Sequence, residues 1–325
     1  MFYAGHLDRT ALERGLQRLG YQYRWGYWAD RLLLVIGAAF VLSGVLLFVA
    51  YNWVALDKMV KLGGLSLLVV VAVVAALLRG IDGFVGRVLL FAACMLVGVF
   101  LAAFGQIYQT GADAWELFRA WALLIAVWVV VSRSHAHWLL LLAVVDALVV
   151  SYLDCVHGLD LDPRHPGPWL ALAALHGLAL VALEVGNARA YFEPPKAWPR
   201  WVLVPALLFV VFMPMASVVF RDAYDRLDSW IALFAFGAAV AISYVYARYR
   251  ARDLFWLTCA GFAALGALTL VLLRSVDVFG SSSCGSLVFV GLVVVAMLTG
   301  LVQWLRRVHV ELEGAGRATR EPDDV

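Results

Sequence analysis

The sequence predicts an all-α fold: a polytopic membrane helix bundle of about ten transmembrane helices, with a short amino-terminal cytoplasmic or interfacial helix. Three observations carry this. The 325 residues are 64% hydrophobic and 15% charged, against roughly 45–50% and about 25% in soluble domains. Mean hydropathy is +0.87. The apolar runs are continuous rather than alternating. In lipid, where only helices and closed barrels satisfy the backbone, that pattern means helices.

Taken in order, residues 1–31 form a polar, aromatic, arginine-rich segment. Within it LDRTALERGLQRLG (7–20) sets Leu12, Leu16 and Leu19 on one helical face, with Asp8 or Thr10 as cap and Gly20 as stop. YQYRWGYWADR follows; its tyrosines and tryptophans suit the headgroup level, and its arginines can snorkel there. An interfacial anchor is the expectation, with a partner-docking helix as the alternative. The first apolar run is too long for a cleavable signal peptide. Residues 32–185 make a six-span front half, with spans at 32–51, 60–78, 87–105, 114–132, 137–153 and 168–185. Each meets or nears the roughly 20 residues a crossing needs, the fifth being shortest. Residues 186–199, carrying EPPKAWPR, read as a cytoplasmic linker. A four-span rear half, 200–305, holds runs at 200–220, 230–247, 254–273 and 286–305. Residues 306–325 are poor in apolar side chains and read as a disordered cytoplasmic tail.

Ten spans place both termini on one side. Of the 25 lysines and arginines, 18 fall in the two tails and the even loops, six in the odd loops, and Arg119 within a span. Positive charge accumulates on the cytoplasmic side, so both ends are expected in the cytoplasm. The basic residues follow topology and form no phosphate-binding run, which argues against a nucleic-acid partner. Cys94 and Cys259 lie in spans, whereas Cys155 and Cys284 lie in odd loops, an oxidising compartment in which a disulfide between them can form.

Two stretches resemble a known family. YNWVALDKMVKL (51–62) follows the first span, and FGQIYQTGADAWELFRAWALL (104–124) joins the third to the fourth. Asn52-Trp53, Gly105-Gln106-Ile107-Tyr108, Asp113, and Leu117-Phe118 with Trp121 are similar to the signature of a bacterial membrane family catalogued as domain of unknown function 2157. The resemblance covers about residues 10–150. It implies a bacterial inner-membrane protein and lends no activity.

The second stretch raises a question of charge. Asp113 and Glu116 are spaced as a capping box at the start of the fourth span. Arg119 lies about two turns inside, where an unpaired arginine is expensive. Its side chain leans towards the amino terminus, so it is expected to pair with Glu116, supported by Gln106 or Tyr108. With Asn52, Trp53, Asp57 and Lys61 from the first odd loop, these groups would make an outward-facing, ligand-binding vestibule. Mid-span, Asp146 and His176 lie at matched depths on the fifth and sixth runs. A proton-relay pair is one reading; two separately satisfied polar residues is the expectation. The loop DCVHGLDLDPRHPGP (154–168) gathers Cys155, His157, Asp160, Asp162 and His165. Their spacing repeats no known metal site, so a solvated turn is expected and no metal. No nucleotide loop, nucleophile elbow or zinc-protease motif is present, so no cofactor and no enzymatic activity are expected.

Three function classes follow. A binding, sensing or assembly subunit using the vestibule comes first, with the bilayer and another membrane protein as partners. A small-solute or proton-coupled transporter using Asp146 and His176 comes second. A membrane-embedded enzyme comes last.

Overall fold

The computed structural model describes residues 9–51, 57–192, 198–220, 226–278 and 284–318. Every regular element among them is helical: α1 (Arg9–Tyr51), α2 (Lys58–Arg79), α3 (Phe84–Tyr108), α4 (Ala114–Ser132), α5 (His135–His157), α6 (Pro166–Ala188), α7 (Arg200–Phe220), α8 (Arg226–Val245), α9 (Leu254–Val278) and α10 (Cys284–Ala318), with a π-helical turn at Tyr246–Ala251. Ten of them contain stretches long and apolar enough to cross a membrane. The multi-pass helical class is as expected.

Three boundaries differ from expectation. Helix α1 is continuous for 43 residues and runs straight through Gly20. A glycine inside a helix costs about 1 kcal/mol against alanine, which does not stop a helix flanked by Leu, Arg, Gln and Tyr. Helix α10 continues through 306–318, where a disordered tail was expected. That stretch holds three arginines and two glutamates, good helix formers, and Glu311 is held by an ion pair with Arg248. Helix α5 is longer than its apolar run, beginning at His135 and ending at His157.

The chain forms two compact units, one of residues 1–112 and 124–132, the other of 113–123 and 133–325. The division falls within α4, and the helices on either side of 186–199 pack in one unit. The reason is visible in the second unit: Leu180 and Leu183 of α6 share a buried core with Leu203, Val204 and Leu208 of α7, across that linker. Trp256 and Leu257 of α9 and Val308 of α10 complete the same core.

In the first unit α2 and α3 form a tight hairpin. Gly80 turns the chain with φ of 79°, a conformation that suits a residue without Cβ. Gly86 then packs so closely that a Cβ there would lie 2.1 Å from the Gly80 carbonyl oxygen. Asp57 caps α2, its carboxylate accepting from the Met59 amide at 3.1 Å. Arg31 of α1 places its guanidinium 4.6 Å from the centre of the Phe84 ring.

Candidate functional site

The groups expected at an outer vestibule are distributed over both units and are largely occupied locally. Asp57, Gln106 and Tyr108 belong to the first unit; Asp113, Glu116 and Arg119 belong to the second. Asp57 is the helix cap just described. Tyr108 packs against Phe104, ring centres 4.7 Å apart and planes tilted by 49°. Asn52 and Trp53 lie outside the described residues. Asp113 does take the N-cap position of α4, yet its side chain makes no capping hydrogen bond. The expected Arg119–Glu116 ion pair is absent from the bridges among the described residues. Arg119 instead lays its guanidinium 4.8 Å from the centre of the Trp115 ring, one turn back. It leans towards the amino terminus as expected, but an aromatic face lies there, and cation–π attraction serves in place of a carboxylate.

The two caps make a direct comparison. Asp57→Ala should cost about 0.5–2 kcal/mol, the usual worth of a side-chain cap. Asp113→Ala should cost less than about 0.5 kcal/mol, the usual scale for a substitution that removes no specific contact. Denaturant unfolding of the purified protein in mild detergent ranks the two; equal losses would mean that Asp113 caps after all.

Mid-membrane, the structure departs from the expectation of two independent polar residues. Asp146 of α5 and His176 of α6 face one another, Oδ2 to Nε2 at 3.6 Å. The opposite ring nitrogen, Nδ1, lies 2.9 Å from the Leu172 carbonyl oxygen one turn earlier. Asp146 Oδ1 is buried without a hydrogen-bond partner.

Next to this pair, α5 and α6, with Tyr191, Phe192, Pro199 and Leu203, line an open-sided cavity of about 310 Å³, within the size range of small-molecule sites. Leu142 and Val145 of α5 face Leu175, Ala179 and Leu183 of α6 across it. Helical periodicity explains the facing set, since residues three and four apart share a face. The inner end at Val145 and Leu175 adjoins Asp146 and His176 in sequence. From His135 to Val145 the cavity follows about 15 Å of α5, at about 1.5 Å per residue. Its other end is aromatic and polar. The His135 ring stacks on Phe192 at 4.3 Å, and its Nε2 approaches Asn187 Oδ1 at 3.4 Å. The Trp138 indole nitrogen is buried with no hydrogen-bond partner. Arg133, just before α5, holds its guanidinium 5.8 Å from the centre of the Tyr191 ring, and Tyr191 lines the cavity.

A second polar group was not anticipated. Arg200 at the start of α7 donates from Nε and a terminal nitrogen to the two oxygens of Glu184, at 2.6 and 2.8 Å. Asp253 lies 3.6 Å from its other terminal nitrogen. Asp253 also caps α9, accepting from the amides of Phe255 and Trp256. Tyr246, in the π-helical turn, lies near Glu184. The one sequence signal was the position of these three charges at the ends of three apolar runs.

In the 154–168 loop, Asp160, Asp162 and His165 bring ligand atoms within 4.8 Å of one another. Turn chemistry accounts for much of this: Asp162 accepts from the Arg164 amide at 2.9 Å and pairs with the Arg164 guanidinium. Cys155 is an exposed free thiol, and the side chain of Cys284 lies outside the described residues.

These features define a multi-pass integral membrane protein with a polar pair and an apolar cavity inside one helix pair. Residues 3–138 match the family model described as "Predicted membrane protein (DUF2157)", the family that the 51–62 and 104–124 motifs resemble. No curated protein and no solved structure matches the chain. The matched segment stops at the start of α5, so Asp146, His176 and most of the cavity lie beyond it.

Proposed function

We propose that this protein binds an anionic membrane lipid, taking one acyl chain into the cavity between α5 and α6. In this reading the protein lies in the bacterial inner membrane with both termini in the cytoplasm, which the distribution of lysine and arginine supports. The carrying observation is the cavity itself, an apolar slot about 15 Å long, lined at one end by Trp138 and Tyr191, with the Arg133 guanidinium 5.8 Å from the centre of the Tyr191 ring. An acyl chain matches the lining, and an anionic headgroup matches the cation. The charge bias supports the orientation: Arg133 then lies at the cytoplasmic surface, where anionic headgroups collect basic residues. This keeps the protein in the binding or sensing class. The outer vestibule loses support, because Asp57 and Arg119 are engaged on their own helices. The proton-coupled transport reading retains one observation, the approach of Asp146 to His176, while the neighbouring cavity is lined mainly by apolar side chains.

Native mass spectrometry of the detergent-purified protein tests the assignment. The wild type should retain one phospholipid, with anionic lipid preferred in competition. Ala179→Phe, which fills the slot, should lose it, and Arg133→Gln should reduce the preference for anionic lipid. Equal retention by wild type and Ala179→Phe would sink the proposal. Orientation is tested separately: reporter fusions at residue 160 and at the carboxyl terminus should report opposite sides of the membrane.

A further inference from the structure

The tautomer of His176 is fixed by its own helix. A carbonyl oxygen can only accept, so the 2.9 Å contact between Nδ1 and the Leu172 oxygen requires a hydrogen on Nδ1. Nε2 is then the basic position of the ring, and it faces Asp146 Oδ2 at 3.6 Å. Two arrangements leave this pair, a buried imidazole and a half-buried carboxyl, neutral: a carboxylic acid beside a neutral imidazole, or a carboxylate beside an imidazolium. Both contain one proton beyond the Nδ1 hydrogen. The alternatives, zero or two such protons, leave a net charge inside the helix pair, which a low-dielectric interior penalises heavily.

We propose that Asp146 and His176 form a proton-binding site that holds one proton in common, on Oδ2 or on Nε2. The proton comes from water and belongs to the pair rather than to either residue. The cation nearest this depth among the described residues is Arg119 of α4, held over the Trp115 ring, which itself meets Tyr152 of α5 at 5.4 Å. On α5 the other titratable groups are His135 and His137 at one end, and Tyr152, Asp154, Cys155 and His157 at the other. On α6 the second is Glu184, engaged by Arg200. Of the helices packed against α6, α7 offers Arg200 at its start, and α8 offers Asp228 near one end and Tyr244 at the other. The unpartnered Asp146 Oδ1 leaves one acceptor free for a donor that delivers or removes the proton. Buried ionisable pairs of this kind are the elements from which membrane proteins build proton relays. The pair stands independently of what occupies the neighbouring cavity.

Nitrogen NMR of the full-length protein, labelled at the histidine rings and held in lipid nanodiscs, reads the site directly. The His176 signals are those missing from His176→Gln. In the wild type at neutral pH, Nδ1 should be of the protonated type, and Nε2 should be displaced from the bare-nitrogen position by the shared proton. In Asp146→Asn, Nε2 should return to the bare or merely hydrogen-bond-accepting position while Nδ1 keeps its hydrogen. That retained Nδ1 signal shows that the local fold survived; if Asp146→Asn fails to fold, Asp146→Ser serves the same comparison. A wild-type Nε2 already at the bare position and unmoved by either substitution would overturn the proposal. So would a ring protonated on Nε2 alone.

Discussion

Gly86→Ala should destabilise the first unit severely, although it adds one methyl group. The new Cβ would sit 2.1 Å from the Gly80 carbonyl oxygen, 2.8 Å from its carbon and 3.1 Å from the Ala76 oxygen. All three are backbone atoms, so no side-chain rotation relieves the overlap. Overpacking within a core typically costs about 1–3 kcal/mol, and here the α2–α3 hairpin itself must open. The cost should reach or exceed the top of that range. Gly63→Ala is the control. It lies in α2 with nothing within 4 Å of its added Cβ, so alanine should be neutral or stabilise by up to about 1 kcal/mol through helix propensity. Unfolding midpoints of the two variants in detergent should therefore move in opposite directions, or only the Gly86 variant should move. Similar losses for both would mean that the close approach of α2 and α3 is not real.

The second large effect lies in the Arg200 network. Glu184→Ala removes the acceptor of two Arg200 hydrogen bonds and leaves the guanidinium with Asp253 alone at 3.6 Å. Breaking one partner out of a fully buried pair costs about 3–5 kcal/mol. The Arg200 and Glu184 side chains keep 19% and 24% of their surface exposed, so the expected loss is smaller, about 2–3 kcal/mol. Combining Glu184→Ala with Arg200→Leu should recover part of it, because no unpaired charge is then left beneath the surface. A double variant whose loss equals the sum of the two single losses would show that the groups do not act together. Arg200→Lys should also weaken the site, since an ammonium cannot match both carboxylate oxygens as the planar guanidinium does.

The spans were legible because the bilayer imposes a length, and ten apolar runs of that length stand out in the chain. Their ends were less so. Gly20 reads as a stop but has good helix formers on both sides, and α1 passes through it. Residues 306–318 read as tail by polarity alone, and their helix draws on propensity and on the Arg248–Glu311 contact, 63 positions apart. Asp146 and His176 could be matched in depth from the sequence. Their rotation about the helix axes could not, because apolar residues surround both and no polar stripe marks the facing side. The Arg119–Glu116 pair failed for a related reason: spacing allowed it, but Trp115 was an equally reachable partner. The cavity was invisible, since a void arises from how Leu142, Val145, Leu175 and Ala179 fail to fill the space between two helices. Sequence composition reports what side chains are present, and not how far apart two backbones settle.

The central claim is that the α5–α6 cavity is a lipid site. A cryo-electron microscopy map of the full-length protein in nanodiscs containing anionic phospholipid tests it most directly. The account predicts elongated density entering between Trp138 and Leu183, ending near Val145 and Leu175, with a headgroup beside Arg133. A well-resolved map with α5 and α6 closed together, Leu142 and Val145 packed against Leu175 and Ala179 and no room between them, would contradict it.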